Sequence, residues 1–148
     1  MLRRTCLMAC LALAAPGLLP AQTPASMEPP TMIQIRVILP DATLTATLND
    51  SATARDFAAI LPRDLVLTDY HGIERIADLP RRLDTTGAPR SYKPATGDIT
   101  LYAPWGNLAI FLKPFSSAPG LVPLGRFDGP VTALDRSGPV TARFERAE

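Results

Sequence analysis

Apolar and polar positions begin to alternate at Ile33: Ile33, Ile35, Val37 and Leu39 are interleaved with Gln34 and Arg36. A period of two predicts a half-buried strand. Pro40-Asp41 turns the chain back into Thr43–Leu48, where threonines face water and Leu44, Ala46 and Leu48 face in. The period then changes. Asn49-Asp50-Ser51 supplies capping side chains, and Ala54, Phe57, Ala58 and Leu61 follow i, i+3, i+4, i+7 up to Pro62. This is the one good helix in the pattern. Further strands are predicted at Leu65–Tyr70, Ile99–Ala103, Leu108–Leu112 and Val140–Arg146. Leu121–Arg126 reads as extended, with Pro123 restricting it to a sheet edge or a bulge.

Gly97–Leu112 reads as two strands joined by a bend that carries Tyr102, Trp105 (the only tryptophan) and Asn107. Gly129–Ser137 and Gly138–Arg146 form a near-repeat of nine residues, each opening Gly-Pro-Val-Thr-Ala. Two copies are too few for a solenoid. The pair reads either as a hairpin or, the preferred reading, as one helical turn opening at Pro130 and then the last strand. Short strands, frequent Pro and Gly and a single helix predict a mainly β domain, a small barrel or a sandwich.

The first residues follow a different rule. Arg3 and Arg4 precede an uncharged apolar run, Leu7 to Leu19, with small-residue exits after Ala21 and Ala25. That layout predicts a secretory signal peptide over 1–25, a flexible linker over 26–31 and one domain over 32–148. The protein is therefore expected to be exported, periplasmic or secreted. Too little apolar sequence precedes Cys10 for a lipoprotein cleavage box. Cys6 and Cys10 both fall in the leader, so the mature chain holds no disulfide or thiol nucleophile. Loss of Arg3 and Arg4 turns the formal charge of +1 slightly negative. Such a balance leaves no footprint for nucleic acid or an anionic membrane.

Other chemistries lack their residues. His71, in the turn-like Tyr70-His-Gly72, is the single histidine, so a zinc site or a Ser-His pair is not expected. No glycine-rich loop precedes a helix to hold phosphate. No metal and no cofactor are predicted. Asp98, after Gly97, reads as a turn former rather than a general base.

Leu79-Pro-Arg-Arg-Leu83, Gly87-Ala-Pro89, Gly97-Asp-Ile99, Tyr102–Phe111 and Gly120–Arg126, in that order, resemble the bacterial cyclophilin-like family of small proteins. Thr53–Pro62 resembles it too, and the likeness runs from Met32 to Glu145. The resemblance implies a closed antiparallel β-barrel of about eight strands with a capping helix at an open end. It does not carry catalysis. Catalytic cyclophilins have a Phe-His-Arg segment and a Gln-x-Gly-Asp-Phe-type segment, and neither occurs here.

The candidate ligand-binding residues are Tyr70, Arg81, Arg82, Tyr102, Trp105, Asn107, Phe115 and Arg126, gathered at the barrel mouth. Each has a plainer reading. Trp105, between Pro104 and Gly106, is expected to pack at the core or rim, because an exposed indole is unusual at such a bend. Asn107 is expected in a left-handed turn position. One of Arg81 and Arg82 is expected to pair with Asp78 or Asp84, leaving the other for a ligand anion. Arg126 suits a surface ion pair. Phe111 is expected inside the barrel and Phe115 at a pocket rim or as a loop anchor. Tyr70 and Tyr102 face the same mouth or bury with their hydroxyls satisfied. Asp84–Gly97 is long for a connection, with Tyr92 as a tether.

Two functions follow. The first is an exported binding module taking a small molecule or a short, proline-containing peptide. The alternative is a weak peptidyl-prolyl isomerase, or folding helper of exported proteins, in which Arg81, Arg82 or Arg126 donates to the twisted amide. A structural domain of a larger assembly is a third class. Oligomeric state is not legible.

Overall fold

Alternation in the first segment becomes β1 (Ile33–Ile38), which pairs along its length with β2 (Thr43–Leu48), Ile38 opposite Thr43. Residues 31–148 are described by the structure, a computed structural model; the predicted leader, most of the linker, Cys6 and Cys10 lie outside them. Ser51 caps α1 (Ala52–Ala59) by accepting from the Ala54 amide, and Asn49 accepts from the Ser51 amide. The chain continues through β3 (Arg63–Tyr70), β4 (Glu74–Asp78), β5 (Ser91–Tyr92), β6 (Asp98–Tyr102), β7 (Asn107–Phe111), β8 (Ala118–Pro119), β9 (Leu121–Phe127) and β10 (Val140–Arg146).

Eight of these strands close an antiparallel barrel in the order β1, β10, β3, β4, β7, β6, β9, β2. Closure removes every open edge from the main sheet. The remaining pair, β5 and β8, forms a short ribbon beside it, Tyr92 opposite Ala118. Inward positions of the barrel strands, among them Ile35, Val37, Leu48, Leu67, Ile99, Leu101, Leu108, Ile110, Leu124 and Phe144, fill the interior.

Both ends of the barrel are covered. At one, α1 lowers Ala54, Phe57 and Ala58 into the core, and Phe57 meets Phe144 edge-on at 6.1 Å. The other end is closed by a single 3-10 turn, Thr132–Leu134, whose flanking Val131 and own Leu134 are buried. Arg75 anchors this plug from inside: its Nε donates to the Leu134 carbonyl and its Nη1 to the Gly138 carbonyl, both at 2.9 Å. The side chain is only 1% exposed. Among the described residues the barrel therefore has no open mouth.

Two expectations resolve here. Pro123 sits in a bulge: Thr100 opposes Pro123 and Ile99 opposes Gly125, leaving Leu124 over. Gly125 is needed at that bulge because a Cβ would overlap the Thr47 carbonyl oxygen of β2. The near-repeat resolves as a helical turn followed by a strand, the turn beginning at Thr132 rather than Pro130.

Candidate functional site on the outer wall of the barrel

Side chains alternate across a strand, so each barrel strand also has an outward face. In β7, Leu108 and Ile110 enter the interior while Asn107, Ala109 and Phe111 point out, yet all five residues are buried. Register carries that outward face sideways. Ala109 lies between Ile76 of β4 and Thr100 of β6, and Asn107 lies between Asp78 and Tyr102. Leu121 of β9 continues the surface beyond Tyr102. The result is an apolar floor on the outside of the barrel, with small Ala109 at its middle.

Walls rise around this floor and enclose a cavity of about 270 Å³ open to solvent. Tyr70, Glu74, Tyr102, Trp105, Phe111, Phe115 and Ala118 supply them. The indole of Trp105 meets Tyr102 edge-on at 5.3 Å and Tyr70 edge-on at 6.0 Å. Phe111 and Phe115 stack at 6.5 Å across the other side. The chain holds three tyrosines, five phenylalanines and one tryptophan. Two of the tyrosines, two of the phenylalanines and the tryptophan line this one cavity. Trp105 and Phe115 are also two of the four large apolar side chains that the described residues leave exposed. Concentrated exposed aromatic surface in a concavity is the usual mark of a binding site.

Local structure explains why Trp105 projects. Gly106 takes a positive φ of 71° and its amide donates to the Tyr102 carbonyl, closing a tight turn between β6 and β7. Arg82 braces the turn, donating from Nη1 to the Ala103 carbonyl and lying 3.5 Å from where a Gly106 side chain would begin. Pro104 packs on Gly120, where a Cβ would meet its Cδ at 2.8 Å. Both sides of the turn are thereby held, and the indole is left 60% exposed. The expectation that the indole is shielded is corrected: it packs at the cavity rim in edge-on contact with both tyrosines and stays mostly exposed.

Polar groups of the cavity are few. Burial pushes the Glu74 carboxyl above its ordinary value, with the charge of His71 opposing the shift. No ion pair reaches Glu74 among the described residues. Asn107 donates from Nδ2 to the Leu108 carbonyl, and its buried Oδ1 has no partner. That assignment of the amide is set by chemistry, since a carbonyl partner requires the NH2 group. Asn107 is thus a strand residue walling the cavity, and the left-handed turn position belongs to Gly106.

The eight candidates divide. Tyr70, Tyr102, Trp105, Asn107 and Phe115 meet at this cavity; Arg81, Arg82 and Arg126 do not line it. Arg81 pairs through both terminal nitrogens with Asp56, at 2.7 and 2.8 Å, instead of with Asp78 or Asp84. Asp56 also accepts from the Asp84 amide, and the two donors hold its carboxyl at about 2. Arg126 donates to Asp98 at 2.9 Å beside a more open groove bordered by Thr47, Asn49 and Tyr92. Asp98 does more than form a turn: it is buried and also accepts from the Tyr92 hydroxyl and the Ala95 amide. That hydroxyl bond and the β5–β8 ribbon tether the long loop.

Phe111 packs outside the barrel rather than within it. Glu74, Ile76, Ala109, Ala118 and Leu121 were not singled out by the sequence. A signal for Ala109 exists in the uninterrupted apolar run Leu108–Leu112, which indicates a strand covered on both faces. Among the described residues no cluster of three or more His, Cys, Asp or Glu is placed to hold a metal ion. No described helix is long and apolar enough to cross a membrane.

A family model described as the cyclophilin-like family matches residues 37–145. Among solved structures, the chain is similar to a hypothetical protein from Archaeoglobus fulgidus known from its solution structure. That likeness has a TM-score of 0.63 at 16% identity, covering 82% of this chain and 99% of the other. At that identity it speaks to fold alone. No curated protein matches the sequence.

Proposed function

The chain belongs to the cyclophilin-like family, and we propose that it is an exported binding module that takes a small molecule or part of a short peptide into the outer-wall cavity. Export is supported by the charged start, apolar run and small-residue exits of the first 25 residues. Binding is supported above all by one observation: five aromatic side chains, Tyr70 and four from the segment Tyr102–Phe115, converge on a single solvent-open cavity. A barrel whose interior and both ends are filled gains no stability from leaving such surface exposed.

The isomerase alternative draws less support. Family membership does not fix activity, and that reaction needs a donor aimed at the twisted amide. Arg81 is held by Asp56, Arg82 by the Ala103 carbonyl and Arg126 by Asp98, all outside the cavity.

Titration of a fragment and Xaa-Pro peptide set against the fluorescence of Trp105 tests the proposal. The expected result is saturable quenching or a shift by at least one probe, abolished in Ala109→Phe, which fills the cavity floor. Catalysed cis/trans exchange of a Xaa-Pro peptide at a rate set by Arg81, Arg82 or Arg126 would sink the pure binding reading.

A further inference from the structure

We infer that the ligand group seated in this cavity is an alkylated ammonium, held over the faces of Tyr70, Tyr102 and Trp105 with Glu74 as its counter-charge. The inference rests on the proposed binding function and names the chemistry of its ligand. Two tyrosine rings meet one indole edge-on: Trp105 stands at 80° to Tyr102 and at 85° to Tyr70. Edge-on contacts, unlike stacking, leave ring faces uncovered at the cavity wall, and a soft cation is what such faces attract.

Charge complementarity points the same way. Glu74 is the one carboxylate lining the cavity, and no cation of the described protein pairs with it. A half-buried carboxylate with no ion-pair partner, relieved only in part by His71, is unfavourable in the empty protein, as the upward push on its carboxyl reflects. A bound cation would remove that penalty. The nearby arginines do not line the cavity: Arg81 and Arg126 are paired with Asp56 and Asp98, and Arg82 donates to the Ala103 carbonyl. Asn107 adds a second acceptor, an Oδ1 that lacks a donor. An anionic ligand would therefore meet a carboxylate and no available guanidinium. A primary ammonium needs about three acceptors to replace its water, whereas an N-alkylated one spreads its charge over C–H groups that suit aromatic walls. Mostly apolar walls with one carboxylate favour the alkylated form.

The same head group can arrive on a free small molecule or on a modified lysine side chain. Two cationic probes, choline and a blocked trimethyllysine amide, distinguish these sources. Each is titrated against Trp105 fluorescence beside its neutral carbon isostere, 3,3-dimethylbutan-1-ol for choline. The expected result is at least tenfold tighter binding of one cation than of its isostere, a preference lost in Glu74→Gln by the same readout and in Trp105→Ala by calorimetric titration, because that variant holds no tryptophan. The cation that binds more tightly identifies the source. Equal binding of cation and isostere would overturn the cation inference and leave the binding function standing. Absence of binding by every cationic, neutral and peptide probe would overturn both. A cation preference retained in Glu74→Gln would remove Glu74 from the account.

Discussion

The indole of Trp105 stands edge-on to the ring of Tyr102, centroids 5.3 Å apart and planes at 80°. Tyr102 ends β6 and Trp105 sits in the turn that follows, so the contact spans three positions of the chain. An indole that is 60% exposed contributes little to folding. Trp105→Ala is predicted to lower stability by less than about 1.5 kcal/mol, the range of edge contacts between rings. Urea denaturation checks this, and a larger loss would mean that the turn rather than a ligand is what Trp105 serves.

Glu74→Gln is predicted to raise the melting temperature at neutral pH. The folded carboxyl lies above its ordinary value because burial penalises the ionised form. Its contribution to stability is therefore present below the ordinary carboxylate pKa and is lost as pH rises through the raised one. The variant and the parent should converge at about pH 3, where Glu74 is protonated, and separate by about pH 7. Thermal melts at the two pH values measure the difference.

Asp56 has the opposite sign. Its folded carboxyl is held at about 2 by Arg81 and the Asp84 amide, below the unfolded value near 3.8. A depressed carboxyl stabilises the fold above the unfolded pKa and loses that contribution as pH falls through the folded one. Acid titration of the urea midpoint should show a decline between about pH 4 and pH 2 that is shallower in Asp56→Asn. An unchanged slope in the variant would refute the pairing.

Arg75→Met is predicted to lower stability by about 3 kcal/mol. Methionine keeps much of the volume but leaves the Leu134 and Gly138 carbonyls without the donors that Arg75 supplies. Arg75→Lys should recover only part of the loss, because one ammonium cannot reproduce a two-nitrogen fork. Denaturation midpoints of both variants decide the matter.

Arg75 also shows where the sequence stopped being readable. In Glu74–Asp78 a charged residue occupies an inward position and Ile76 an outward one. The usual polar-out pattern is inverted, so β4 was not predicted. β5 and β8, of two residues each, carry too little pattern to see. By contrast β1, β2, β3, β6, β7, β9, β10 and α1 follow the periodicities and caps of their own residues. The site was half legible for a related reason. Tyr70, Tyr102, Trp105, Asn107 and Phe115 drew notice through residue type, and the fold brings them together. Arg81 and Arg126 drew notice for charge, but their partners Asp56 and Asp98 lie 25 and 28 positions away. Nothing local reveals pairs of that span. Nor does local pattern reveal a filled interior: only closure of the barrel, with Leu134 and Phe57 in its ends, moves the cavity from the mouth to the wall.

Location of the ligand site on the outer wall is tested most directly by amide chemical-shift mapping of the folded domain against the probe that quenches Trp105 most strongly. The predicted result is a set of shifts confined to Tyr70, Glu74, Ile76, Asn107, Ala109, Phe111, Phe115, Ala118, Leu121 and the Tyr102–Gly106 turn. Shifts centred on α1, on Thr132–Leu134 or on the Arg126–Asp98 groove would contradict it.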